Sequence, residues 1–101
     1  MERLIEQLTD EGDVLQVGVR LGSVYYHLAV YQHFSEVEDE PMLPSFEVEG
    51  RITPRDRLDL SALLQRRTEL TLRLADGRVL DFLMADSAGA IRSTGRGLYR
   101  A

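Results

Sequence analysis

The chain contains no cysteine, no lysine and no asparagine. Without cysteine there is no disulfide framework, no thiolate metal site and no cysteine nucleophile, so stability has to come from packing. No apolar run approaches the roughly 20 residues that a membrane-spanning helix requires. The start, Met1-Glu2-Arg3, leads into an amphipathic segment rather than a signal peptide, so no membrane partner and a cytoplasmic location are expected. All twelve basic residues are arginine. Because lysine and asparagine codons are both A-rich, their joint absence is read as the mark of a GC-rich bacterial genome and not as selection for anion contacts.

What is present has ordinary globular proportions. The 101 residues, 44% of them hydrophobic, suit one domain over 1–101 with one modest core. Two strand pairs can be read with their registers. In 14–32, a two-residue type II′ turn at Gly22-Ser23 pairs Leu21 with Val24, Val19 with Tyr26, Val17 with Leu28 and Leu15 with Val30, giving one apolar face. The opposite face then couples Arg20 with Tyr25 and Gly18 with His27. In 68–84, a two-residue turn misaligns the faces. A three-residue loop, Ala75-Asp76-Gly77, with Gly77 left-handed in a G1 bulge, pairs Leu72 with Leu80, Leu70 with Phe82 and, on the other side, Thr71 with Asp81.

Elsewhere the pattern is simpler. Leu4, Ile5 and Leu8 form a helical stripe, predicting a short amino-terminal helix over about 2–9 that ends at Glu11-Gly12-Asp13. An acidic loop over about 35–44 carries Glu36, Glu38, Asp39 and Glu40. Phe46, Val48, Gly50 and Ile52 alternate with charged residues as a third strand, stopped by Pro54. Asp59 caps a short helix that buries Leu60, Leu63 and Leu64 and ends at Arg66 and Arg67. Residues 90–93 form a short sixth strand, and a frayed tail is expected from about 94. The predicted fold is therefore mainly β: a small antiparallel barrel, or a strongly curled sheet, of five or six strands in the order α-β-β-β-α-β-β(-β). That order of elements resembles the OB-fold, a partly open barrel.

The candidate binding residues fall into two groups. Tyr25, His27, Tyr31 and His33 project to one side of the second strand, with Arg20 across from Tyr25, and form a candidate interaction face. Such a face either meets a protein partner, including a second copy in a homodimer, or stacks the bases of a single strand. The alternative is an anion site made by Arg51, Arg55, Arg57, Arg66 and Arg67. Charge divides in the same way: residues 1–50 hold two arginines against eleven acids, and 51–101 hold ten against six, for the total of −5. An acidic protein repels a polyanion at long range, so nucleic acid is disfavoured on the first group and would need the second.

Arg51-Ile52-Thr53-Pro54-Arg55 fits the RxxxR motif of PilZ-type domains, and Asp59-Leu60-Ser61-Ala62-Leu63-Leu64 resembles their [DN]xSxxG. Leu64 stands where that family has glycine, and the spacing and position of the two motifs differ, so the family's cyclic-dinucleotide binding is not carried over. His27 and His33 stand about 20 Å apart on one strand, too far to share an ion, and neither a metal site nor a cofactor is expected. No serine sits in a nucleophile elbow such as GxSxG, and no catalytic constellation is visible. The expectation is a non-enzymatic binding or protein-interaction module, with an oligonucleotide- or anion-binding barrel as the alternative.

Overall fold

The computed structural model describes residues 2–33 and 45–100. The six strands are β1 (Glu2–Gln16), β2 (Val19–His33), β3 (Ser45–Pro54), β4 (Leu70–Arg73), β5 (Arg78–Met84) and β6 (Ala90–Arg100), with one helix, α1 (Leu60–Arg66), between β3 and β4. They form a closed antiparallel barrel in the order β1-β2-β3-β6-β5-β4, sealed where Asp13, Val14 and Leu15 pair with Arg73, Leu72 and Thr71. The expected mainly β architecture is thus present as a barrel and not as a curled sheet. The acidic segment 35–44 lies outside the described residues.

The interior is filled by the inward alternation of every strand. Val14, Val24, Leu28, Leu72, Leu80 and Phe82 are fully shielded. α1 covers one end with Leu60 and Leu63. Its start is capped as expected, the Asp59 carboxylate accepting from the Ala62 N–H at 3.2 Å, and Arg66 lies in its last turn. The β4–β5 hairpin has the predicted register: Leu70 faces Phe82, Thr71 faces Asp81 and Leu72 faces Leu80. The Leu74 N–H donates to the Arg78 carbonyl at 2.8 Å, and Gly77 adopts φ +93°, as the three-residue loop requires.

Three expectations are corrected. The segment expected as a helix over 2–9 is the first half of β1, pairing from Glu2 with His33 to Gln16 with Val19. Leu4, Ile5 and Leu8 fit a helical stripe, but a long β2 needs a ladder partner and this segment supplies it. Leu8 packs on the core opposite Leu28, whereas Leu4 and Ile5 stay exposed around a register shift between Leu4 and Glu6.

The first hairpin turns at Val17-Gly18, not at Gly22-Ser23. Both turn residues have positive φ, 49° and 79°, the signature of type I′ geometry. A second register shift pairs Val14 with Gly22 but Leu15 with Arg20, leaving Leu21 as the extra residue. Val17 and Val19, assigned to the core by the sequence, therefore project into solvent. The lack of a side chain at Gly22 serves close packing: a Cβ there would lie 2.7 Å from an Asp56 carboxylate oxygen.

The segment expected to fray from 94 is the second half of β6, which pairs as far as Arg100 with Arg78. Residues 94–97 occupy the space that Asp81 alone occupies on β5, so the glycines near 95–97 serve an irregularity inside a strand. Beyond it Leu98 faces Leu80 and packs on the core, and the Tyr99 hydroxyl donates to Asp81 at 2.9 Å.

Candidate binding face

Past the bulge at Leu21, barrel closure turns the odd-numbered residues of β2 and β3 outward. In the β2–β3 ladder, Tyr25 faces Thr53, His27 faces Arg51, Ala29 faces Glu49 and Tyr31 faces Glu47. On the far side of β3, Glu49 faces Arg92 of β6 and Arg51 faces Ala90. Two groups that were separate in the sequence, the Tyr25–Tyr31 face and the start of the arginine cluster, therefore share one outer surface.

At its centre is an open groove of about 390 Å³ with His27, Arg51, Glu49 and Arg92 around small residues at Ala29, Ala85 and Ala90. A neighbouring hollow of about 460 Å³ shares Ala85 and Arg92 and extends to Leu83. Gly50 allows the close approach of β2 and β3 beneath, since a Cβ there would lie 2.0 Å from the His27 carbonyl.

The arginines differ in their pairing. Arg20 bonds Asp13, Arg55 bonds Glu11 at 2.9 Å, Arg73 bonds Asp13 at 2.9 Å and Arg78 bonds both Glu6 and Asp76. The Arg73 guanidinium above all, with Arg20 and Ser23, holds the Asp13 carboxyl below its ordinary value against the opposing effect of burial. Among the described residues neither Arg51 nor Arg92 has a carboxylate partner. Arg51 also acts at a distance on Asp86, whose carboxylate accepts from the Ala88 and Ala90 N–H groups at 2.9 and 3.0 Å. The Ala90 bond is the main reason why Asp86 titrates low.

The expected residues are distributed unevenly. Tyr25, His27 and Tyr31 share the face as predicted, and the Arg55 guanidinium lies over the Tyr25 ring, 5.1 Å from its centre. His33 ends β2, and its side chain lies outside the described part. Arg20 does not stand across from Tyr25. The bulge at Leu21 shifts it opposite Leu15, where it pairs with Asp13 and Asp56 and bonds the Ser23 hydroxyl.

The arginine cluster is also divided. Arg57 lies in the link to α1, and Arg66 and Arg67 follow at the end of a helix about 10 Å long. None of the three lines the groove. Sequence reasoning missed Glu49 and Arg92. Their outward alternation was legible, but which strand would lie beside β3 was not.

Among the described residues no three His, Asp or Glu side chains come together to hold a metal ion, and no helix is long and apolar enough to cross a membrane. Comparison with protein-family models, with characterised proteins and with solved structures finds no match to this chain, so its functional reading rests on the geometry of this face.

Proposed function

We propose that this chain is a non-enzymatic, cytoplasmic binding module whose partner docks on the outer face of β2, β3 and β6. The observation that carries the reading is the groove itself, flanked by His27 and by Arg51 and Arg92, neither of which holds a carboxylate among the described residues. The other surface a barrel can offer, a free strand edge, is less suited. Among the described residues, 2–12 of β1 pair only with β2, but that edge carries Glu6, Asp10 and Glu11 and the irregularity at Ile5. Charges and bulges of this kind keep edges from pairing.

The reading is tested with photo-reactive residues placed at Ala29, in the groove, and at Gln65, exposed on α1, in the cells that make the chain. A discrete adduct from position 29 alone is expected; adducts from both positions, or from neither, would refute it. An adduct with a second copy of the chain would make the partner a homodimer mate.

Oligonucleotide binding is a second reading, favoured by the cation-backed Tyr25 ring beside Arg51. It predicts amide shifts along 25–31 on adding short single-stranded DNA, decaying steeply as salt rises.

A further inference from the structure

Resting on the reading that this face binds, we infer that the groove takes one compact oxyanion, a carboxylate or a phosphate monoester, clamped between Arg51 and Arg92. The apolar part of the same ligand lies over Leu83. Arg51 pairs with Ala90 across the β3–β6 ladder, and Arg92 is two residues along from Ala90. The two arginines are therefore diagonal neighbours, about 7–8 Å apart at the backbone and within reach of a common group. Ala90 and Glu49 take the other two corners of that square, and the alanine corner leaves room for the group to sit.

Among the described residues both guanidinium forks are without a carboxylate. Glu49 stands directly opposite Arg92 and two residues from Arg51, yet forms an ion pair with neither. Four other arginines of the barrel, Arg20, Arg55, Arg73 and Arg78, all hold carboxylates. An arginine fork matches a carboxylate or phosphate with two parallel N–H bonds, and a diagonal pair can grip both sides of one such group.

The neighbouring hollow sets the rest of the ligand. Leu83 of β5 faces Arg92 and is 40% exposed, so apolar surface begins where the cation ends. The anion is compact and single because the face also carries Glu47 and Glu49 and the chain a net −5, which oppose a run of phosphates.

The test follows the arginine Nε–H and leucine methyl NMR signals of the full chain with three probes: phenyl phosphate, benzoate and inorganic phosphate. Phenyl phosphate or benzoate should shift Arg51, Arg92 and Leu83 together, and which of the two binds more tightly tells phosphate from carboxylate. Inorganic phosphate should shift the arginines alone and bind more weakly. Arg92→Gln, at an exposed and unpaired position, should leave the amide spectrum folded and weaken the aromatic anions about tenfold, the effect of one lost charge-assisted bond.

The inference falls if no probe moves Arg51 and Arg92, if Arg57, Arg66 and Arg67 respond equally, or if oligothymidine binds more tightly than phenyl phosphate. A photo-adduct at position 29 that survives in the Arg51→Gln, Arg92→Gln double variant would also sink it, while leaving the binding-face reading intact.

Discussion

The two hairpins that begin and nearly end this barrel follow the same alternation rule and show how differently it constrains a fold. In β4–β5 the register is set locally. The loop 75–77 has a single glycine, Gly77, at the place where a left-handed residue is required, and a one-residue slip would set Leu72 against Asp81. In β1–β2 two glycines compete. The turn forms at Val17-Gly18, with a β-branched residue held at φ 49°, a conformation that local preference disfavours. The long hairpin accepts that strain because β1 has to satisfy two neighbours, β2 along its length and β4 at Asp13–Leu15. Both hairpins meet at the β1–β4 seam, so the difference lies in the loops. Local chemistry decides a hairpin whose loop allows one register, and where two glycines compete the neighbouring strands decide.

The contrast can be broken most sharply in the core. Phe82 of the short hairpin is fully buried, whereas Val19 of the long one is 64% exposed. Phe82→Ala should destabilise the fold by about 3–5 kcal/mol, and Val19→Ala by less than about 0.5 kcal/mol, in denaturant titrations. Comparable losses would mean that Val19 is a core residue after all.

The seam comes next. A Cβ at Gly12 would lie 2.5 Å from the Arg73 carbonyl and 3.2 Å from the Tyr26 ring. Gly12→Ala should cost about 1–3 kcal/mol and speed amide exchange first at Val14 and Leu72, where β1 meets β4. Unchanged protection there would argue against closure through these strands.

Asp13 ties the same region together by accepting from Arg20, Ser23 and Arg73. Its carboxyl titrates below its ordinary value of 3.8 in the folded chain. Its contribution is therefore complete above that pH and is lost as pH falls through the lower folded value. Asp13→Asn should cost on the order of 1 kcal/mol at neutral pH and flatten part of the acid slope of stability. An acid limb identical to that of the parent would remove Asp13 from the account.

A change at the turn has the opposite sign. Asn tolerates positive φ better than a β-branched residue, and Asn-Gly is a favoured type I′ pair. Val17→Asn should stabilise the chain by about 0.5–1 kcal/mol, read as a raised denaturation midpoint. A loss of stability would return the turn to Gly22-Ser23.

The candidate face was legible in halves. That Tyr25, His27 and Tyr31 share a side follows from the two-residue period of a strand, and no tertiary information is needed. That His27 meets Arg51, and that Arg92 joins them, depends on which strands are neighbours, and a period says nothing about neighbours. Arginines 51 to 67 are close in sequence, but a strand end, a link and a helix carry them to different parts of the barrel.

By itself the sequence determined the alternation of β2, β3 and β5, the loop at Ala75–Gly77 and the Asp59 cap, because each is an agreement between a residue and its near neighbours. Only the tertiary structure decided that residues 2–9 are strand, that the tail past 94 is paired, that Gly12 and Gly22 mark close approach and not chain reversal, and that Arg51 and Arg92 share a groove. Each of these depends on a partner distant in the chain, whose backbone must be satisfied or whose atoms occupy the space, and such a demand leaves no local mark.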